Sequence, residues 1–241
     1  MKLSEPVLFV EINMNNFIFT VGKYDENQNF NIIETLATSS NEILNGKIVN
    51  IDDAKIKVKK NIEDLENKLN CIFKTVSVII DDLNYSCINI SGYKKLNGSQ
   101  LLKENISYIL NSLKLVVNEN EKKKTILHIF NSGSVLDGTK VNNLPIGLFG
   151  DFYNHELTFF LLENNDLKNV NTIFNENNLK INKILLKNYS EGVQIINLKD
   201  SDTFLRIKIG KETSSIILFD QSSFKYGQSF NFGSNIILND I

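Results

Sequence analysis

The sequence predicts an α/β fold built on a duplicated unit, and three observations lead there. Three extended segments, an amphipathic helix and a further apolar strand follow one another over residues 7–80. A strand-turn-strand opening then recurs far along the chain, where Ile207-Lys208-Ile209 and Ile216-Ile217-Leu218 answer Val10-Glu11-Ile12 and Phe17-Ile18-Phe19. Such long-range repetition fits a fold made twice, with a ligand held between the copies. Between the copies the strand order is interrupted, which points to an inserted module.

Each element has a local reason. Residues 7–11 and 17–22 are apolar runs separated by Asn13-Met14-Asn15-Asn16, turn-prone residues that tolerate positive φ. Residues 30–37 form a third extended segment after Asp25-Glu26-Asn27-Gln28, so an antiparallel meander is expected. Asn50 can cap a helix, with Asp52 and Asp53 favourably placed in its first turn. Val58, Ile62, Leu65 and Leu69 then fall four, three and four apart, on one helical face. Residues 76–80 read as a buried strand, and pairing parallel to the first strand requires the helical crossover just described.

Further along, an extended segment surrounds residues 87–90, and a helix is expected over residues 100–117 with Leu102, Ile106, Ile109, Leu110 and Leu113 inward. A charged loop at 119–124 separates it from strands at 125–130 and 156–162. Residues 137–150, with their glycines and Pro145, read as irregular. A helix from Asp166 through Val170, Ile173 and Phe174 leads to a strand near residues 181–186. The second opening comprises a strand at 204–209, a turn at 210–213, a strand at 215–219 and an extended piece at 224–232. A half-built second unit would leave sheet edges and apolar surface uncovered, so a longer natural chain is expected.

Composition excludes more than it assigns. A net charge of −2 and a pI near 5.8 give no basis for nucleic-acid binding. No run approaches the ~18 apolar residues of a spanning helix, and the N-terminus lacks a signal-peptide pattern, so a cytoplasmic protein is expected. Cys71 and Cys87 stand outside any CxxC spacing and His128 and His155 outside any HExxH pattern. All four are read as structural, with no disulfide framework and no metal set.

One collinear set of motifs carries a resemblance. Ile126-Leu127-His128-Ile129, then Leu136-Asp137-Gly138, then Leu144-Pro145-Ile146-Gly147-Leu148-Phe149-Gly150 resemble the LHV…DG…P.G..G signature of the FtsA family. Gly46-Lys47-Ile48-Val49-Asn50-Ile51 resembles that family's passage into its first helix. Asn89-Ile90-Ser91-Gly92 resembles one of its strand ends, and Asn235-Ile236-Ile237-Leu238-Asn239-Asp240-Ile241 its ITNDI motif. The resemblance implies an actin-like architecture: a ribonuclease-H-like subdomain over residues 1–82, resumed over 161–198, with a small inserted α+β subdomain at 83–160. Residues 199–241 would be the truncated start of a second ribonuclease-H-like subdomain. It also implies a cell-division adaptor, peripheral on the cytoplasmic face of the membrane, that links FtsZ filaments to that membrane. FtsZ and membrane contacts would come through a further C-terminal part ending in an amphipathic helix. Self-association into actin-like filaments would involve the inserted subdomain, with Asp137, Gly138, Pro145, Gly147 and Gly150 at the contact.

The resemblance also directs attention to the two hairpins, each of which grips phosphate in actin-like ATPases. The first should read Asp-x-Gly-Ser/Thr, where glycine lets the backbone approach the ligand and the acid organises metal and water. Here those positions are Glu11, Asn13 and Met14. The second should read Asp-x-Gly-Gly-Gly-Thr, and here it carries Lys208, Gly210, Lys211, Glu212 and Thr213. Either Lys208 and Lys211 bind phosphate directly, or the hairpins now only support the fold. The second reading is favoured, because charge alone does not replace the lost glycines. The expectation is therefore a degenerate nucleotide site, doubtful for ATP and Mg²⁺, with no catalytic residue and no enzyme activity. A PilM-type pilus-assembly scaffold and an active actin-like ATPase are the alternatives. The Asp137-Gly138…Pro145-x-Gly147 pattern favours FtsA over the first, and the lost acid-glycine motifs argue against the second.

Overall fold

The computed structural model describes residues 5–81, 85–141, 143–199 and 201–236. The expected 82/83 boundary and residues 237–241 of the expected second subdomain lie outside them. The elements in chain order are β1 (Val7–Ile12), β2 (Asn16–Tyr24), β3 (Phe30–Ser39), β4 (Ile43–Leu44), β5 (Lys47–Ile48), α1 (Ile51–Leu69) and β6 (Thr75–Ile80). Then come β7 (Ser86–Lys95), α2 (Lys103–Asn120), β8 (Lys124–Leu136), β9 (Thr139–Val141), β10 (Phe152–Glu163) and α3 (Asn164–Asn175). The chain continues through β11 (Lys180–Leu186), α4 (Lys187–Lys199), β12 (Phe204–Ile209), β13 (Ser214–Asp220) and β14 (Ser223–Phe230). Two compact units result, one of Met1–Leu83 with Asn165–Ser190 and one of Asn84–Asn164 with Glu191–Ile241.

The first unit is built on a five-stranded sheet in the order β11-β6-β1-β2-β3. Its antiparallel side is the expected meander, β1 against β2 and β2 against β3. Alternation drives it: Leu8, Val10 and Ile12 are buried along β1, and Phe17, Phe19 and Val21 along β2. β6 and β11 pair in parallel beyond β1, which is possible because helices carry the chain back between them. Asn50 caps α1 as its sequence predicts, its Oδ1 accepting from the N–H of Asp53 at 3.2 Å. The helix buries Ala54, Val58, Ile62 and Leu65, and α3 buries Val170, Ile173 and Phe174.

The second unit contains a separate four-stranded sheet, β7-β10-β8-β9, and a three-stranded sheet, β12-β13-β14. Residues 126–130, on β8, thus pair in a different sheet from residues 7–11. Ile109, Leu113 and Val117 of α2 share a core with Leu101, Tyr153, Leu157, Phe159 and Leu161. Gly92 on β7 makes this docking possible, since a Cβ there would lie 2.8 Å from Ile109 Cγ2. The three-stranded sheet lies in this same unit, and Phe224 of β14 stacks on Phe160 of β10.

Three local expectations are corrected. Leu102 does not point inward: it is the N-cap of α2 and exposed, its N–H donating to Asn105 Oδ1 at 2.8 Å. Its neighbour Leu101 takes the buried place. Residues 137–150 are not wholly irregular, because β8 and β9 form a hairpin around Asp137 (φ 49°) and Gly138 (φ 80°). Two central residues with positive φ are what a tight twisted hairpin demands, and Asp-Gly supplies them. Finally, α4 follows β11 without a break where no helix was expected, its pattern being interrupted by Gly192.

Candidate functional site

The first hairpin joins β1 to β2 through Asn13, Met14 and Asn15. Asn13 N–H donates to the Asn16 carbonyl at 3.1 Å. The Asn13 side chain folds back over the turn, and its Oδ1 accepts from the N–H of Asn16 at 3.0 Å and of Asn15 at 3.4 Å. This is an Asx turn, in which the side chain bonds the backbone one turn on. Asn13 is not among the residues in the left-handed region, so the conformational freedom of a glycine is not used here. The turn is further fastened by the Ser40 N–H, which donates to the Asn15 carbonyl at 2.7 Å.

Glu11 lies on β1 one residue before its end, and two residues the sequence reading did not single out join it. The register sets Ile12 beside Ile80, and Ile80 beside Leu186. Asp81 and Lys187, each the residue immediately after its strand, therefore stand in one row at the C-terminal edge of the parallel strands. Lys187 Nζ lies 2.6 Å from Glu11 Oε1 and 3.1 Å from Asp81 Oδ2. Burial alone would lower the pKa of the Lys187 ammonium; the hydrogen bond to Glu11 and the charge of Asp81 overcome it and hold it above the ordinary lysine value. The available signal was a charged residue placed directly after the apolar end of each of two strands, Ile79-Ile80 and Leu185-Leu186.

The second hairpin, in the second unit, joins β12 to β13. Gly210 N–H donates to the Thr213 carbonyl at 2.8 Å, and a Cβ on Gly210 would meet that oxygen at 2.8 Å. The chain itself covers the turn. Ser234 N–H donates to the Gly210 carbonyl at 2.8 Å and Asn235 N–H to the Lys211 carbonyl at 3.0 Å. Gly233 comes so close that a Cβ would lie 2.4 Å from both of those oxygens. Lys208 is half-buried on β12, while Lys211 and Glu212 are exposed at the tip. Glu11, Asn13 and Met14 thus belong to one unit, and Lys208, Gly210, Lys211 and Thr213 to the other.

The remaining candidate residues form one corner of the inserted sheet. Asp137 Oδ1 accepts from the N–H of Asp151 at 2.9 Å and of Phe152 at 2.7 Å, tying the β8–β9 turn to the start of β10. Leu148 N–H donates to the Pro145 carbonyl at 3.2 Å, and Gly147 takes the third position of that turn at φ 87°. At Gly150 a Cβ would press on Leu136 Cδ1 at 2.7 Å and Asp137 Oδ2 at 2.9 Å. The loop they shape presents Ile146, Leu148 and Phe149 at the surface, next to exposed Phe152.

His155 is buried and its Nε2 lies 3.1 Å from Asn131 Oδ1; burial lowers its pKa, as it does that of His128. Both cysteines are free thiols whose pKa burial raises. Among the described residues no group of three or more His, Cys, Asp or Glu side chains gathers as a metal-ligand set. No helix among them is long and apolar enough to cross a membrane.

No family model matches the chain. Curated relatives do. The cell division protein FtsA of Buchnera aphidicola subsp. Schizaphis graminum is 23% identical over 241 residues, covering 100% of this chain and 57% of its own length. FtsA of Borreliella burgdorferi is 19% identical over 238 residues, covering 98% and 57%. The chain is FtsA-like. It spans 57% of the length of these FtsA relatives. Among solved structures, a chain of a PilM-PilN type IV pilus biogenesis complex matches with a TM-score of 0.66 at 9% identity, covering 98% of this chain and 64% of that chain. At that identity the likeness is one of fold, and the fold is actin-like.

Proposed function

We propose that this FtsA-like chain is part of a cell-division adaptor that links FtsZ filaments to the membrane, with a first hairpin that no longer serves nucleotide. The observation that carries the second half is the Asn13 side chain, whose Oδ1 already accepts from the Asn15 and Asn16 amides. A phosphate would have to displace it and then approach past a side chain where glycine would leave room. Mg·ATP is the group that an actin-like fold implies, and the first hairpin does not fit it. The Asn13, Asn15 and Asn16 amides are engaged within the turn, and the acid, Glu11, is engaged by Lys187. Catalysis is not expected from such a site.

The division role rests on sequence likeness to FtsA along the whole chain, whereas the PilM-PilN match is one of fold. FtsZ and membrane contacts are assigned to the part of the protein outside this chain. The exposed Ile146, Leu148 and Phe149, held by Pro145, Gly147 and Gly150, supply an apolar surface suited to self-association of the inserted module. Two measurements on the full-length protein test the proposal. It should co-sediment with FtsZ polymer, and calorimetry with Mg·ATP should give binding no tighter than the high micromolar range, without turnover. Sub-micromolar affinity would sink the degenerate-site reading, and loss of FtsZ co-sedimentation would sink the adaptor reading.

A further inference from the structure

Ligands of open α/β sheets gather outside the carboxyl ends of the parallel strands. In the first unit that place is marked by Glu11, Asp81 and Lys187, brought side by side from positions far apart in sequence. We infer that the Lys187 ammonium is a built-in cation that takes the place of a divalent metal ion between the two carboxylates, so that this edge is a latent cation site closed by its own lysine.

The chemistry of the cluster supports this. Mg²⁺ is commonly held by one or two carboxylates with waters filling the remaining octahedral positions. Glu11 and Asp81 offer such a pair, and a single atom already bridges them, with Lys187 Nζ at 2.6 and 3.1 Å. Lys187 is also the first residue of α4. A cation at a helix N-terminus is disfavoured by the macrodipole, and a partly buried ammonium is disfavoured by desolvation. The two carboxylates are what make that position tenable for lysine.

The substitution of ammonium for metal is not neutral. A divalent ion brings two charges and exchangeable water positions that a phosphate oxygen can take. An ammonium brings one charge and donates hydrogen bonds, here directed at the two carboxylates. One positive charge against two negative ones leaves the edge net negative, which repels a polyphosphate. The inference deepens the reading of a silent nucleotide hairpin and rests on it only for that consequence.

Titration with Mn²⁺, free ion followed by its paramagnetic resonance signal and with no nucleotide present, tests the cation alone. It can therefore fail while the weak affinity for Mg·ATP stands, or succeed when that affinity proves high. The wild-type protein should leave Mn²⁺ free, and so should Lys187→Arg, which keeps the cation. Lys187→Gln should take up one equivalent, and its melting temperature should rise with Mg²⁺ while that of the wild type does not. Lys187→Gln/Asp81→Asn should take up none. Uptake by the wild type that Glu11→Gln abolishes, or uptake by Lys187→Arg, overturns the inference. So does a Lys187→Gln protein that folds without binding Mn²⁺, or one that stays unfolded even in Mg²⁺.

Discussion

The ring of Phe160 in β10 stacks on that of Phe224 in β14, with centroids 4.3 Å apart and planes inclined by 16°. The stack continues in both directions. Phe130 meets Phe160 edge-on at 5.7 Å, and Phe224 stacks on Phe219 at 4.9 Å, which stacks on Phe204 at 5.1 Å. Residues 204–230 are therefore joined to the inserted sheet by a column of rings. Phe160→Ala or Phe224→Ala should each cost about 3–5 kcal/mol in urea unfolding, as large aromatic truncations in cores do. A double-mutant cycle between them should return a coupling of about 0.5–1.5 kcal/mol. Additive losses would mean that the stack contributes only its buried area.

The column also explains a helical glycine. A Cβ on Gly192 would lie 2.1 Å from Phe219 Cε2, so the ring occupies the space a side chain would need. Gly192→Ala raises helix propensity by about 1 kcal/mol in favour of folding. Overpacking costs about 1–3 kcal/mol and should prevail. Net destabilisation in thermal melts is expected, and its absence would show that Phe219 has room to move.

Asp137 should matter as a structural acceptor. Asp137→Ala removes the oxygen that receives the Asp151 and Phe152 amides and places alanine at φ 49°. A loss of about 1–3 kcal/mol is expected. Asp137→Asn keeps an acceptor and tolerates the same φ, so it should lose less than half as much. Equal losses would indicate that the carboxylate charge, rather than the turn, is what counts.

Asn13→Gly separates stability from ligand access. Removing the Oδ1 acceptor should cost the β1–β2 turn about 0.5–1.5 kcal/mol in denaturant unfolding. By itself it should leave Mg·ATP affinity weak, because Lys187 still engages Glu11. An affinity gain of tenfold or more from this single change would assign the whole defect to the turn.

Acid sensitivity should have an identifiable source next to the same hairpin. Glu42 accepts hydrogen bonds from Lys57 Nζ at 2.8 Å and from the Ser40 hydroxyl. Burial pushes its pKa up, but these two donors and the lysine charge outweigh it and hold the carboxyl at about 2, against 4.5 in the free side chain. A depressed folded-state pKa contributes stability that is present above 4.5 and lost as pH falls from there through about 2. Wild type should thus lose about 1–2 kcal/mol more than Glu42→Gln across that window. Parallel pH profiles for the two proteins would assign the acid sensitivity elsewhere.

Much of the architecture was written locally. The period-two burial of β1 and β2, the Asn50 cap and the helical face of α1 are properties of neighbouring residues, and a strand or helix needs only its own side chains to declare them. The turn at Asn13-Met14-Asn15-Asn16 was equally legible, since turn-prone residues between two apolar runs declare themselves locally. The Asp137-Gly138 hairpin was not read from the sequence, because a single pair of turn residues followed by further glycines and Pro145 reads as loop until β9 is seen to pair with β8. What the Asn13 side chain does in the β1–β2 turn, closing it with its own amide oxygen, required the backbone path. Lys187 and Asp81 lay beyond local reading for a stronger reason. Each is a charged residue just after a strand end, and nothing in its neighbourhood names a partner. Their meeting with Glu11 depends on the order β11-β6-β1, which sets side by side three strands drawn from the beginning, the middle and the later part of the chain. The Phe160–Phe224 stack has the same origin. Sequence determines which residues are apolar or charged and with what period, whereas only tertiary packing decides which distant charges neutralise one another and which distant rings share a core.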